Sequence, residues 1–295
     1  MVHPFLKWAG GKTRLLRKID EAIGDGLIEK KTYVEPFIGS GAVFLSLTEK
    51  HKFDKIIVND LNSQLIDVYI DIRDNCERLK TELQKLENDY VETGNKSEYY
   101  YVVRNNFNLF LKEKNEDSVI QSARFIFLNK TCYNGMYRVN SKGFFNIPAG
   151  RNNNKKLIDY NNIDEVSKKL VNVIIENMDY SNLLNKYSSY IDEECLLYFD
   201  PPYSTSGGEK GFTSYNKQVF CWNDQENLES TVMNLKDTGA MIVMSNISSD
   251  CVEKLYDKEI YTVHRFTRRC TIGGTIKSRK EYGELIIVAD FSKVE

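Results

Sequence analysis

The sequence predicts an α/β protein: a doubly wound sheet interrupted by a mostly helical insert. Short apolar runs alternate with helical spacing early in the chain, the alternation stops near residue 74, and it resumes after residue 164. Residues 32–35 read as a strand, 41–49 as a helix, 55–58 as a second strand and 62–73 as a second helix. Such a beginning implies parallel strands, because a crossover helix returns the chain to the same end of the sheet. From Glu77 the chain is charged, with leucines at helical spacing, and this mostly helical pattern runs to Asn129. Residues 130–163 are rich in Asn, Gly and Tyr, with turn clusters at Asn152-Asn153-Asn154 and Asn161-Asn162, and should form loops or a hairpin. Strand signals return at 171–175, 195–199, 240–244 and 284–288. Between them, 223–236 and 249–256 are helical by spacing, with Asn223 and Ser249 as expected N-caps. The expected organisation is one sheet domain, residues 1–73 plus 164–295, with an inserted lobe at 74–163.

With 295 residues and 41% hydrophobic content, the chain can bury an ordinary core. Its six cysteines include no Cys-x-x-Cys pair and its only histidines are His3, His51 and His264, so neither a zinc site nor a disulfide framework is indicated. Residues 1–4 lack a basic-then-apolar signal, and no run approaches the roughly 18 apolar residues that read as a membrane span. The expected setting is soluble, reducing and cytoplasmic, with no membrane partner. A formal charge of -2 argues against indiscriminate nucleic-acid binding, yet the charge is unevenly spread. Residues 118–158 contain no Asp or Glu but carry Arg124, Lys130, Arg138, Lys142, Arg151, Lys155 and Lys156. Residues 260–280 likewise lack acids and carry Arg265, Arg268, Arg269, Lys277, Arg279 and Lys280. Either stretch alone reads equally as a solvated face; together they resemble a surface that tracks phosphates.

The residues with most chemical content are Asp200-Pro201-Pro202-Tyr203, at the end of an apolar strand. Open α/β sheets place ligands at that end. Two prolines remove two backbone N–H donors and stiffen the turn, leaving carbonyl acceptors without a ladder to join. A carboxylate, a carbonyl and a phenol ring on such a turn suit a planar ring bearing an amino group, as in a nucleobase; the plainer reading is a proline-rich turn. Glu35-Pro36-Phe37-Ile38-Gly39-Ser40-Gly41 follows the first strand, so Gly39 and Gly41 mark either a tight strand–helix turn or a close approach of backbone to a ligand. The third glycine of a dinucleotide fingerprint is missing, which argues against NAD or FAD. Asp60 ends the second strand, where it can accept a ribose's hydroxyls or cap a helix, a role Asn62 could also fill. Trp8-Ala9-Gly10-Gly11-Lys12-Thr13 looks like the end of a P-loop, but Leu6 stands where the first glycine is required, so a nucleoside triphosphatase is not expected. A Gly-Gly turn can still bring Trp8 and Lys12 to one spot, with Lys12 ready to meet a carboxylate.

Taken in the order Trp8 to Lys12, Phe37 to Gly41, Asp60, insert, and Asp200 to Tyr203, the chain resembles the DNA adenine-N6 methyltransferases of the Dam-like D12 class over nearly its whole length. Most specific is the stretch 129–150, from Asn129-Lys130-Thr131-Cys132-Tyr133-Asn134-Gly135 through Arg138 to Asn146-Ile147-Pro148-Ala149-Gly150, which is similar to the family's target-recognition hairpin. The resemblance implies a Rossmann-like methyltransferase sheet and S-adenosylmethionine as cofactor. It also implies double-stranded DNA as partner and transfer to N6 of a flipped-out adenine; separately, no obligate protein partner is evident in the sequence and a monomer is expected. Residue by residue, it implies that Trp8, Lys12 and Asp60 contact the cofactor, with Lys12 facing its methionine carboxylate and Asp60 its ribose. Phe37, Gly39 and Gly41 would shape the same pocket, Asp179 would lie near the cofactor adenine, and Asp200, Pro201, Pro202 and Tyr203 would form the catalytic loop, Asp200 also bordering the cofactor. Lys7 and Arg138 fall where the family reads a guanine, while Tyr133, Asn134, Met136 and Pro148 match other DNA-contacting positions of GATC-specific members.

The chain departs from the family pattern at Met136, where leucine is common, at Ala149, where an aromatic is usual, and at 204–210, whose Gly207-Gly208 is unusual. Rival readings are an RNA or protein-amide methyltransferase, a cytosine-N4 DNA methyltransferase, and a DNA-binding module with an inactive fold. Asp200 in place of Asn or Ser, the 130–150 stretch, and the presence of Trp8, Lys12, Asp60 and Asp200 together favour the adenine enzyme.

Overall fold

The structure is a computed structural model and describes residues 2–113, 117–151, 157–203, 220–269 and 281–293. Its strands are β1 (Thr32–Glu35), β2 (Lys55–Asn59), β3 (Ile174–Glu176), β4 (Cys195–Phe199), β5 (Met241–Ile247), β6 (Thr262–Arg269) and β7 (Glu281–Asp290). They form one sheet in the order β3-β2-β1-β4-β5-β7-β6, parallel from β3 to β5 and antiparallel through β7 and β6. This is a Rossmann-like sheet of the methyltransferase type, as the resemblance implied.

The central strand β4 is apolar and buried at all five positions because both faces of the sheet are covered. Alternate residues serve opposite layers, Tyr33, Leu196 and Tyr198 on one side and Val34, Leu197 and Phe199 on the other. The first layer is closed by α1 (Leu16–Ile23), α2 (Ala42–Lys50), α3 (Ser63–Asp74) and α7 (Tyr160–Leu170). The second is closed by α8 (Tyr180–Lys186), α9 (Trp222–Met233) and α10 (Asp250–Leu255). Between β2 and β3 the chain also forms α4 (Cys76–Glu92), α5 (Lys96–Glu113) and α6 (Ser118–Thr131). Helices α4 and α5 both pack on α6, and α6 packs on α3, so the insert shares one core with the sheet's first layer.

Several expectations need correction. Asn161-Asn162 is not a turn but the first part of α7: Asp159 caps that helix through Asn162 N–H (3.3 Å), and Ile163, Val166 and Leu170 give it a buried face. This helix runs across the expected boundary at 163–164. The strand read at 171–175 begins at Ile174, because Val171 is exposed and Asn172 has φ 65°, a left-handed turn residue. The cap of α9 is Cys221, not Asn223, because Asp224 returns to the Cys221 N–H (2.7 Å) to close a capping box; the cap at Ser249 is as expected. Part of the second basic stretch is edge strand β6, whose Arg265 is paired with Glu253 (2.8 Å). Lys155, Lys156, the Asn152 to Asn154 cluster, residues 204–210 and Lys277, Arg279 and Lys280 lie outside the described residues. Among the described helices none is long and apolar enough to cross a membrane.

Candidate active site

In parallel register, Glu35 stands opposite Val58, Val34 opposite Leu197, and Asn59 opposite Glu176, so β3, β2, β1 and β4 all end at one edge. The order reverses between β1 and β4, where open sheets hold a crevice. Into that crevice the chain delivers three of its singled-out segments.

The turn after β1 is pinned to β2 by Ile38 N–H donating to Asn59 C=O (2.8 Å). Gly39 (φ 48°) and Gly41 (φ 70°) both adopt left-handed backbone, which only glycine takes without strain. Both also allow close packing: a Cβ on Gly39 would meet Trp8 Cδ1 at 3.1 Å, and one on Gly41 would meet Tyr69 Oη at 2.7 Å. The turn is therefore tight for internal reasons as well as open toward the crevice. Phe37 lies in an aromatic group with Tyr180 and Phe199.

A pocket opens beside this turn, lined among others by Trp8, Lys12, Glu35, Gly39, Tyr198 and Asp200. The buried Lys12 ammonium contacts both oxygens of Asp200, at 2.6 and 2.7 Å, and donates to Gly10 C=O at 2.6 Å. Burial alone would lower the Lys12 pKa, but the Asp200 charge outweighs it and holds Lys12 above its ordinary value. The pair stays ionised, and Lys12 meets a protein carboxylate here. Tyr203 presents its ring to the same ammonium, 5.0 Å from the centroid, and its buried Oη has no hydrogen-bond partner among the described residues. Glu35 is buried and accepts from Tyr33 Oη (2.8 Å); burial, then the charges of Asp200 and Asp60, push its carboxyl well above the usual range.

Asp60 is half-buried beside the pocket and receives N–H donors from Gly39 (3.1 Å) and Asn62 (2.9 Å). Burial pushes its pKa up from 3.8 to about 6, against those hydrogen bonds. Asn62, not Asp60, caps α3. Asp179 is outside the pocket lining, exposed, and caps α8 through Ser181 N–H (2.9 Å). Reasoning from sequence overlooked Asn59, which is buried and binds Pro36 C=O (2.9 Å), Met178 C=O (3.0 Å) and Met178 N–H (3.0 Å). One amide thus ties together the ends of β1, β2 and β3; its place beside Asp60 was the only signal.

Trp8 joins the pocket to the insert, stacking on Tyr137 (5.4 Å, 20° between planes), while Tyr137 Oη donates to Gln64 Oε1 (2.9 Å). The 131–150 segment that carries Tyr137 is a hairpin with only isolated bridges, Cys132 to Ala149 and Val139 to Phe145. It presents Tyr133, Asn134, Arg138 and Pro148 as exposed residues and Met136 as half-buried. Tyr133 N–H donates to Pro148 C=O (2.9 Å), and the exposed Lys7 lies against Gly135, whose Cβ would sit 2.4 Å from Lys7 Cδ. Lys7 and the hairpin therefore share one solvent-facing surface, adjoining the pocket through Trp8.

The family profile of D12 class N6 adenine-specific DNA methyltransferase matches residues 8–272. The chain is 43% identical over 262 residues to Type II methyltransferase M.MjaIII of Methanocaldococcus jannaschii, covering 87% of this chain and 88% of that protein. It is 34% identical to Type II methyltransferase M1.LlaDCHI of Lactococcus lactis subsp. cremoris, covering 97% and 95%. It is 29% identical to the DNA adenine methylase of Escherichia coli (strain K12), covering 96% and 93%.

Proposed function

From the premise that the chain belongs to the D12 class of N6 adenine-specific DNA methyltransferases, we propose that it moves the methyl group of S-adenosylmethionine to N6 of an adenine flipped out of a short duplex sequence, with GATC as the target its recognition residues favour. The observation that carries the reading is the Asp200 carboxylate, 2.6 Å from Lys12, on the wall of a pocket shared with Trp8 and Gly39.

The donor set suits the cofactor: Lys12, by exchanging one of its two Asp200 contacts, offers a cation for a carboxylate, Asp60 an acceptor for ribose hydroxyls, and Gly39 a surface without a side chain. Trp8, Phe37 and Gly41 would complete the binding site, and Asp179 would lie at its adenine end. When bound, S-adenosylmethionine supplies an electrophilic methyl group on a sulfonium. The chain's own task is to make N6 nucleophilic. An adenine in a duplex hides that nitrogen, so flipping costs a few kcal/mol, partly recovered when Tyr203 stacks on the base.

The N6 lone pair is delocalised into the ring. Two acceptors, the Asp200 carboxylate and the Pro201 carbonyl, draw on the two N–H bonds and favour a tetrahedral nitrogen. Each carboxylate oxygen carries two lone pairs, so Asp200 can accept from N6 while Lys12 holds it ionised. The acceptor turn is rigid before substrate arrives, because Pro201 and Pro202 fix consecutive φ angles, and that preorganisation lowers the barrier. Lys7 and Arg138 would read guanines, with Tyr133, Asn134, Met136 and Pro148 around them.

Duplex DNA incubated with methyl-labelled cofactor, digested and separated as nucleosides, should yield labelled N6-methyladenine. Label in N4-methylcytosine, RNA or protein would replace this reading, and methylation mapping of a genome expressing the protein should return GATC.

A further inference from the structure

We infer that Asn129 is a specificity-determining positioning residue, which sets where Lys7 stands relative to the hairpin. The inference rests on the proposed reading of a base by Lys7.

Asn129 lies near the end of α6 and is buried. Its Oδ1 accepts from Lys7 N–H (2.9 Å), and its Nδ2 donates to Lys7 C=O (2.8 Å) and to Gly135 C=O (3.2 Å). The side-chain amide therefore grips both polar groups of the Lys7 peptide, as a neighbouring strand would, and uses its remaining proton on the hairpin. Gly135 closes the clamp from the other side. Its left-handed φ of 63° and the 2.4 Å from its would-be Cβ to Lys7 Cδ leave the lysine stem resting on bare backbone.

Both peptides that Asn129 joins carry the proposed DNA contacts: Lys7 itself, and the hairpin bearing Tyr133, Asn134 and Arg138. A cation reads one base edge only if its stem is aimed, because an unaimed lysine finds a phosphate as readily as a base. Lys7 is long and exposed, so its aim comes from the backbone, and the backbone is held by Asn129. Asn129 is absent from the lining of the pocket, so its effect should fall on selectivity rather than on cofactor binding.

The test uses the full-length protein and synthetic duplexes carrying the site that methylation mapping returns, with every single-pair variant of it. The ratio of kcat/KM between cognate and variant duplexes is measured for wild type, Lys7→Ala, Asn129→Ala and the double variant. This ratio does not change when a variant merely lowers the folded fraction. Asn129→Asp, the same size but without the two donated hydrogen bonds, serves if the alanine variant does not fold. Asn129→Ala should cut discrimination about tenfold at the same base pair as Lys7→Ala, as expected for one lost base contact, and leave other positions unchanged. The double variant should be no worse than Lys7→Ala, and cofactor affinity by calorimetry should stay within about twofold, since no pocket group is touched.

Equal loss on all duplexes, additive loss in the double variant, or a matching loss of cofactor affinity overturns the inference. If Lys7→Ala alters discrimination and Asn129→Ala does not, only the inference falls. If Lys7→Ala itself leaves every ratio unchanged, the assignment of Lys7 as a reader falls with it.

Discussion

The pocket and the recognition hairpin are held by different means. At the pocket, parallel register sets where β1, β2 and β4 end, and so where Glu35, Asp60 and Asp200 follow, and left-handed glycines shape the turn after β1. In the hairpin, backbone pairing is limited to isolated bridges and a few hydrogen bonds, and side chains of α5 brace it: Tyr100 and Arg104 donate to Ile147 C=O (2.8 and 3.2 Å), and Asn108 exchanges two hydrogen bonds with the Phe145 backbone. A site built on sheet register cannot move without disturbing the sheet. A segment with sparse backbone pairing, braced by individual side chains, can be retuned one residue at a time, which suits the sequence-choosing role proposed for it.

Changes in the pocket should therefore abolish turnover, and changes in the hairpin should redistribute it. Asp200→Ala should reduce kcat by at least about a hundredfold, the cost of removing a preorganised charge at a reacting centre. Single-turnover assays would show this, with duplex affinity nearly unchanged. It should also lower stability by about 3 kcal/mol, because the buried Lys12 loses its counter-charge; near-normal turnover would leave Asp200 with the ion pair as its only role. Arg138→Ala should cost about 1–3 kcal/mol of discrimination at one base pair and little elsewhere, as for a lost bidentate contact. Arg138 is braced at Nε by Asn146 Oδ1 (2.9 Å), leaving its terminal nitrogens for such a contact. Equal weakening on every duplex, with a shallower salt dependence, would make Arg138 a phosphate contact instead.

The same contrast governs what could be read from sequence. The strands ending in Glu35, Asn59 and Phe199 were legible because each has an apolar centre, continuous only in β4, and ends in a conspicuous turn. Strand β6 was not, because an edge strand faces solvent and Thr262–Arg269 has only Val263 and Phe266 among Thr, His and Arg residues that read as a basic surface. Helix α7 was hidden by Asn161-Asn162, residues that favour turns in isolation; Asp159 capping and a buried face override that preference. Among site residues, Lys12 and Asp200 announced themselves by motif. Their ion pair did not, since it joins residues 188 apart in sequence. Asn59 and Asn129 act through hydrogen bonds to distant backbone, and a single amide carries no local pattern.

Acidity separates the two regions again. In the role proposed for it, Asp60 serves ribose hydroxyls fully only as a carboxylate, and its pKa of about 6 places its titration just below neutrality. As pH falls through about 6 the carboxylate is lost, so cofactor affinity should drop, approaching about tenfold per unit below that point. Fold stability takes the opposite sign for this group: the folded protein binds the Asp60 proton more tightly than the unfolded chain, so protonation is stabilising and the contribution declines as pH rises from 3.8 to about 6. Calorimetric titration with S-adenosylmethionine at several pH values checks the first, and Asp60→Asn should bind more weakly with this pH step removed. An unchanged step in that variant would assign the titration to another group.

The smallest expected effect tests the hairpin's suspension directly. Asn108 Nδ2 donates to Phe145 C=O (3.0 Å) and Phe145 N–H donates to Asn108 Oδ1 (2.9 Å), a two-point contact like a short piece of sheet. Removing it with Asn108→Ala should cost about 1–2 kcal/mol, since each net hydrogen bond is worth about 1 kcal/mol or less once solvent can replace it. The loss should be local, because Tyr100 and Arg104 still hold Ile147. Hydrogen exchange should therefore quicken at Phe145 and its neighbours, duplex affinity should weaken a few-fold, and cofactor affinity should not change. If exchange quickens equally across β4 and α3, the hairpin and the sheet unfold as one unit, and the division between a fixed pocket and a tunable reader fails.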